Sequence, residues 1–367
     1  TAKALIREPE SDREVVRADI VHDLSDSTGH ADLTVDGIRF DDDLQADALS
    51  SLALGVVSNL QGVVLGQGRI DWNAQGVTSD GTFSTDGVDF AAAFGPVRGL
   101  SGKVVFTDLL GLVTAPDQTL HIDSINPGVE ATDGTLSFEM LPDYNLQVNG
   151  ARWPFMGGTL TLDPAHMKIG VAETRYYTLR VKGLDASIFV QRLELSNLNA
   201  SGVFDGQLPL VFDENGGRIE EGHLLSRPPG GNVAYVGELT YKDLSAMGNF
   251  AFDTLKSVDY TSMEITMGGE LAGEIITRVS FTGLSQGAGA SSNFLTKQIA
   301  RLPIRFVLNI KAPFFSLFSP LRSLYDPSYV TDPRTLGLMG TDGRPRTFGQ
   351  QTVPGPAIQP SVSENNP

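Results

Sequence analysis

Seven Asx-Gly pairs punctuate the first 216 residues of this chain. Asp-Gly stands at 36–37, 80–81, 86–87, 133–134 and 205–206, and Asn-Gly at 149–150 and 215–216. These pairs reach the positive φ angles of tight turns at least cost, so a hairpin is expected at each. Between and after them run short alternating segments. Leu160 and Leu162 share one face of 159–162, opposite Thr159 and Thr161, and Leu179 and Val181 oppose Arg180 and Lys182. Phe204, Leu208, Leu210 and Phe212 fall on one alternate face of 203–212. Met263, Ile265 and Met267 oppose Glu264 and Thr266, while Ile275, Val279 and Phe281 oppose Glu274, Arg278 and Ser280. Ile304, Phe306, Leu308 and Ile310 oppose Arg305, Asn309 and Lys311. A period of two gives each strand one apolar and one solvated face, so the chain reads as mainly antiparallel β.

Three stretches follow a helical period instead. Residues 43–60 place Leu49, Leu52, Val56 and Leu60 behind an acidic start at Asp41-Asp42-Asp43, which suits a helix dipole. The others are 241–256 and 313–325, the latter carrying Phe314, Phe315, Leu317, Phe318 and Leu321. The tail at 341–367 has no periodicity and reads as disordered. No clean linker interrupts residues 1–330, so one elongated β unit is expected, not two globules.

Composition removes several functions. The formal charge is −17, which argues against a nucleic-acid binder or a polybasic membrane-surface module. Zero cysteines exclude thiolate catalysis and disulfide stapling but do not fix a compartment. No segment reaches the roughly 18 uninterrupted apolar residues of a spanning helix. The chain opens at Thr1-Ala-Lys without methionine and reads as a fragment, with any anchor upstream.

Chemical motifs are few. Gly283-Leu284-Ser285-Gln286-Gly287 matches the G-x-S-x-G nucleophile elbow. The last histidine is His223, so the usual Ser–acid–His order is impossible at Ser285. The five histidines are scattered without i,i+3 or i,i+4 pairs, so neither metal nor cofactor is expected. Asp213-Glu214-Asn215-Gly216-Gly217 opens like a calcium loop, but its twelfth position is Leu224. Glu220 and Glu221 are neighbours on a strand and point to opposite faces, so they cannot flank one glycosidic bond. What remains are the apolar strand faces. They fit a closed sandwich core or an open, curved sheet holding lipid chains, and composition does not separate the two.

A set of longer strings resembles the YdbH family of Gram-negative envelope proteins, related in architecture to the AsmA-like and TamB lipid carriers. They run RIDWNAQGVTSDGTFSTDGVDFAAAFGPVRGLSGKVVFTDLLGLVTAPDQ (69–118), INPGVEATDGTLSF (125–138) and ARWPFMGGTLTLDP (151–164). Later come GVFDGQLPLVFDENGGRIEEGHL (202–224), RPPGGNVAYVGEL (227–239) and LPIRFVLNIKAPFFSLFSPLRSLYDP (302–327). The resemblance covers about 35–330 and looks like the C-terminal half of such a protein. On it, residues 41–330 would form a β-groove (a taco-shaped sheet, apolar within), and 1–40 would continue strands from a preceding half. The implied function is non-enzymatic: phospholipids pass along the groove between the inner and outer membranes. The alternating apolar residues named above, from Leu160 to Ile310, would line it. The chain would be periplasmic, anchored to the inner membrane through a preceding segment. A small outer-membrane lipoprotein would add to the last strand at Val307 and Asn309. Phe314, Phe315, Leu317, Phe318 and Leu321 would cap the groove or dock on a membrane. Two competing readings are a TamB-like assembly module for outer-membrane proteins and a serine hydrolase at Ser285.

Overall fold

The computed structural model describes residues 1–53, 57–92, 95–126, 130–171, 173–192, 198–213, 216–235, 257–271, 273–286 and 306–313. The helices expected at 241–256 and beyond Pro313, the tail, and Ile304 lie outside these residues.

The architecture is an antiparallel meander. It opens with β1 (Ala2–Arg7), β2 (Glu14–Asp23), β3 (Thr28–Phe40), β4 (Ser58–Asn73), β5 (Gly76–Ala92) and β6 (Gly95–Asp108). Next come β7 (Val113–Thr114), β8 (Gln118–Ile125), β9 (Ala131–Leu141), β10 (Asn145–Phe155), β11 (Gly158–Leu162), β12 (Ala165–Lys168) and β13 (Arg175–Asp185). Then follow α2 (Ala186–Arg192), β14 (Leu198–Ser201), β15 (Val203–Asp213), β16 (Gly216–Ser226) and β17 (Gly231–Tyr235). The last are β18 (Ser257–Tyr260), β19 (Ser262–Glu270), β20 (Glu274–Thr282), β21 (Ser285–Gln286) and β22 (Phe306–Pro313). Eighteen of these strands form one sheet that runs from β1 to β22 and does not close into a barrel. Two positions are shared: β7 and β8 both pair with β6, and β11 and β12 both pair with β10.

Six of the seven Asx-Gly pairs are not the hairpin turns their chemistry predicts. Asp36-Gly37 sits at a bulge in β3, Asp86-Gly87 at one in β5 and Asn149-Gly150 at one in β10. Asp80-Gly81, Asp133-Gly134 and Asp205-Gly206 lie inside β5, β9 and β15. Among the seven, 215–216 alone falls at a strand end. A bulge can ask for the same positive φ as a turn, as at Gly37 (φ 127°) and Gly150 (φ 139°), so the dipeptide does not distinguish them there. Strands of 16 and 17 residues, β4 and β5, bend at their bulges rather than end there. Tight turns occur instead at Asp143-Tyr144 (φ 62° and 61°) and Met156-Gly157 (φ 47° and 81°).

The helix expected over 43–60 is mostly absent. A single turn, α1 (Ala46–Leu49), and a 3-10 turn at Ser51–Ala53 stand there, while Leu60 belongs to β4. The segment is fixed by Gln45, whose side chain accepts from the Leu60 N–H at 2.8 Å and donates to the Leu60 carbonyl at 3.0 Å. Leu44 plugs the small core of Val35, Ile38 and Phe40 beneath it.

A second feature shapes the far half of the sheet. β15, β16, β19 and β20 each run directly into a strand of a second, four-stranded sheet, ordered β14–β17–β18–β21. The corner is built on glycine. A Cβ at Gly230 (φ +105°) would lie 1.9 Å from the Tyr260 carbonyl oxygen, and one at Gly202 (φ +122°) 2.5 Å from the Tyr260 hydroxyl. Only the bare backbone lets strands change sheets at this separation. Tyr260 fastens the corner by donating to the Ser201 carbonyl at 2.7 Å and packing edge-on against Phe281.

Candidate functional site: a continuous apolar face

The register of the main sheet can be followed residue by residue across its strands. Phe40 of β3 lies opposite Gly62, which faces Val88, then Leu100, Ile122 and Gly134. The indole of Trp153 lies over Gly134 and continues the row on β10. Trp153 opposes Leu160, then Val181, Gly206, Leu224, Ile265, Val279 and Leu308 on β22. Every position in this row is apolar or glycine. Directly opposed residues on one sheet face are within side-chain contact distance, so the row is an unbroken apolar line perpendicular to the strands.

A parallel row lies two residues away, roughly 7 Å along a strand, and another runs about two residues beyond it. One runs Leu120, Leu136, Ala151, Leu162 and Leu179 to Leu208. A second links Tyr177, Leu210, Ile219, Gly269 and Ile275. Along the corner, Leu184 faces Phe204, which faces Ser226. The Ser226 hydroxyl accepts from the Met263 N–H at 2.8 Å, and Met263 faces Phe281. Ala200, Val233 and Tyr260 of the second sheet, with Leu284 just before β21, join the same apolar cluster at this rim.

Leu160, Leu179, Val181, Phe204, Leu210, Phe212, Met263 and Ile275 are buried members of this cluster. Leu162, Leu208, Ile265, Met267, Val279 and Phe281 are half-buried and pack against it. The backbone pairing of β22 sets Phe306 opposite Phe281, Leu308 opposite Val279 and Ile310 opposite Thr277. The same pairing sets Val307 opposite Ser280 and Asn309 opposite Arg278. Phe314, Phe315, Leu317, Phe318 and Leu321 lie outside the described residues.

Sequence reading missed much of the first half of this face: Val88, Phe90, Val97, Leu100, Ile122, Ile125, Leu136 and Trp153. A signal was present at 119–123, where Leu120 and Ile122 alternate with Thr119, His121 and Asp123. Elsewhere in this half bulges shift the alternation, as between Thr85, Val88 and Phe90 in β5.

The opposite face is polar along the same strands. Beside the central row run Arg152, Thr161, Arg180, Gln207, His223 and Thr266. Its carboxylates are held by cations: the Arg227 guanidinium keeps Asp205 below its ordinary pKa, and Arg13 does the same for Asp41. Among the described residues no His, Asp and Glu group is placed to hold a metal ion, and no helix is long and apolar enough to cross a membrane. Ser285 lies in β21 opposite Asp259, in a paired strand and not in the strained turn a nucleophile elbow requires. Glu221 sits at a bulge with φ 52°, and Glu220 pairs with Arg218.

A family model described as "YdbH-like: Intermembrane phospholipid transport protein YdbH" matches residues 2–336. The chain belongs to the YdbH-like family. No curated protein and no solved structure matches it. Family membership gives the open sheet its role: lipid transport in the cell envelope, with phospholipid as cargo. That role calls for apolar surface that can cover acyl chains.

Proposed function

We propose that phospholipids move along this apolar face between the inner and outer membranes of a Gram-negative envelope, and that the chain is a section of a lipid-transfer bridge. One observation carries the reading: a single apolar row, interrupted only by glycine, crosses fourteen strand positions from Phe40 to Leu308. Exposing an acyl chain to water costs about 0.8 kcal/mol per CH₂, so a lipid in transit needs cover at every step. At about 4.8 Å per strand the row is roughly 60 Å long, several times the reach of a single strand pair. The half-buried Met267 and the buried Met263 suit such a face, because thioethers adapt to varied chains.

The two ends of the ladder fit a section that is extended on both sides. Among the described residues β1 pairs only with β2, and β22 only with β20. On this reading β1–β3 continue strands of a preceding half that carries the inner-membrane anchor. The free edge of β22 takes a small outer-membrane lipoprotein by strand addition. Phe314, Phe315, Leu317, Phe318 and Leu321 follow β22 in sequence and supply apolar side chains for a cap or a docking element at that end.

Photo-crosslinkers at Leu160, Ile265, Met267 and Leu308 test the cargo in cells. Adducts of phospholipid mass at all four support the bridge. Adducts with nascent barrel chains support instead a TamB-like assembly role, and an absence of lipid adducts overturns the proposal. Proline at Val307 and Asn309 tests the edge: unchanged capture of the lipoprotein would remove strand addition from the account.

A further inference from the structure

The polar face carries a depression, back to back with the apolar row. Its volume is about 770 Å³ and it opens over β10, β11, β13, β15 and β16, with Arg152, Arg180, Lys182, His223 and Arg227 on its walls. Asp205 is the one carboxylate that lines it. The chain as a whole has 27 basic against 44 acidic residues, so this local excess of cations runs against the composition.

The cluster is also organised. Arg180 is held by Asp163, with Nε 2.8 Å from both carboxylate oxygens, and its Nη1 reaches Gln207 at 3.3 Å. Arg227 is clamped on Asp205 through Nε at 2.7 Å and Nη2 at 2.6 Å. Asp205 in turn accepts the Gly183 N–H at 2.8 Å, at the bulge between Lys182 and Leu184. The two acids therefore fix two guanidiniums in place. Arg152 and Lys182 have no hydrogen-bonded or ion-paired side chain among the described residues. Lys182 lies opposite Asp205, whose oxygens are already taken, and opposite Thr159 on the other side. Arg152, and Lys182 acting on Asp205 only through its charge, leave a net positive charge beside two oriented guanidiniums, whose planar donors suit oxyanions.

We propose that this depression binds a phosphate-bearing anion, with Arg152 and Lys182 as its principal contacts and Arg180 and Arg227 as oriented support. A free phosphate fills a small part of the volume, so a phosphorylated molecule or a lipid headgroup fits as well. The inference rests on the polar face alone and stands whether or not the opposite face carries lipid.

The test uses the full chain at constant ionic strength. Isothermal titration with inorganic phosphate and pyrophosphate, against chloride, is expected to show saturable binding. The Arg152→Gln, Lys182→Gln double variant is expected to weaken it about tenfold or more, with an unchanged melting temperature, since neither residue holds the fold. Flotation with phosphatidylglycerol vesicles, using phosphatidylcholine as control, separates the sources. Vesicle binding competed by phosphate assigns a lipid headgroup, and phosphate binding without vesicle binding assigns a soluble ligand. No saturable binding of either anion, or binding indifferent to the double variant, overturns the site.

Discussion

The indole of Trp153 occupies the space that a side chain at Gly134 would need: a Cβ there would lie 2.0 Å from Nε1 and 2.3 Å from Cδ1. This contact joins β9 to β10 at the centre of the apolar row. The bulky ring and the missing side chain are one packing unit. Gly134→Ala is therefore expected to destabilise the chain by about 1–3 kcal/mol, by overpacking. Trp153→Ala should cost about 3–5 kcal/mol through lost burial and a cavity. In the double variant the new methyl group meets empty space, so the two losses should not add. Denaturant unfolding of the three variants measures the coupling, and strict additivity would show that the two residues do not share one site.

The row also sets the prediction for transport. Ile265 is half-buried in the apolar line, two strands from its β22 end, and Thr266 points to the polar face beside it. Ile265→Asp places a carboxylate in the lipid path, where desolvation without a partner costs several kcal/mol. It should reduce transfer of a labelled phospholipid between membranes at least about tenfold, whereas Thr266→Asp should leave it near the parent level. Melting curves on both variants separate a blocked path from a collapsed sheet. Equal transfer in the two would mean that the row is not the route.

Much of this face was legible in advance, and the reason is periodicity. Strands such as 178–182 and 262–267 alternate without interruption, and their apolar residues share one cluster. Some Asx-Gly pairs misled because a bulge and a turn can require the same backbone angle, as at Gly37 and Gly150, while others pair inside strands because long-range pairing overrides the local turn signal. What distinguishes them is whether the chain reverses, and that depends on long-range pairing, which no dipeptide encodes. The corner was invisible for a similar reason. Gly202, Gly230 and Gly283 look like turn residues, yet they mark where strands leave one sheet for another. Lys182 stood on the polar face in sequence, but its convergence with Arg152 required β10, β11 and β13 to lie side by side.

Tyr260 offers a spectroscopic reading of the corner. Burial pushes its hydroxyl up to about 12, and the same hydroxyl holds the Ser201 carbonyl. Because the folded value is raised, the native state keeps this proton where the unfolded chain has lost it. The stabilisation is complete below the unfolded value of about 10 and disappears as pH rises through 12. Absorbance titration should show a tyrosine ionising near pH 12 that Tyr260→Phe removes, while Tyr177, also raised by its burial, remains in the profile. Appearance of that tyrosine near pH 10 would place the corner open to water.

The Asp205–Arg227 pair makes the opposite prediction on the acid side. Arg227 donates two hydrogen bonds to Asp205, which also accepts from the Gly183 N–H, and the carboxyl is held below its ordinary range. The folded state therefore binds fewer protons here than the unfolded chain. Its contribution is present above the unfolded value of about 3.9 and is lost as pH falls through the lower folded value. Both side chains are close to half exposed, so solvent screens the pair and the loss should be modest. Asp205→Asn removes the charge at all pH values, so its deficit against the parent should be largest near neutrality and shrink below pH 4. Chemical unfolding at pH 7 and pH 3 compares the two. The same variant also frees Arg227 within the cationic depression. Phosphate affinity should therefore rise, or at least not fall, even as stability drops. A parallel loss of both would mean that the bulge at Gly183, rather than the charge of Asp205, organises that face.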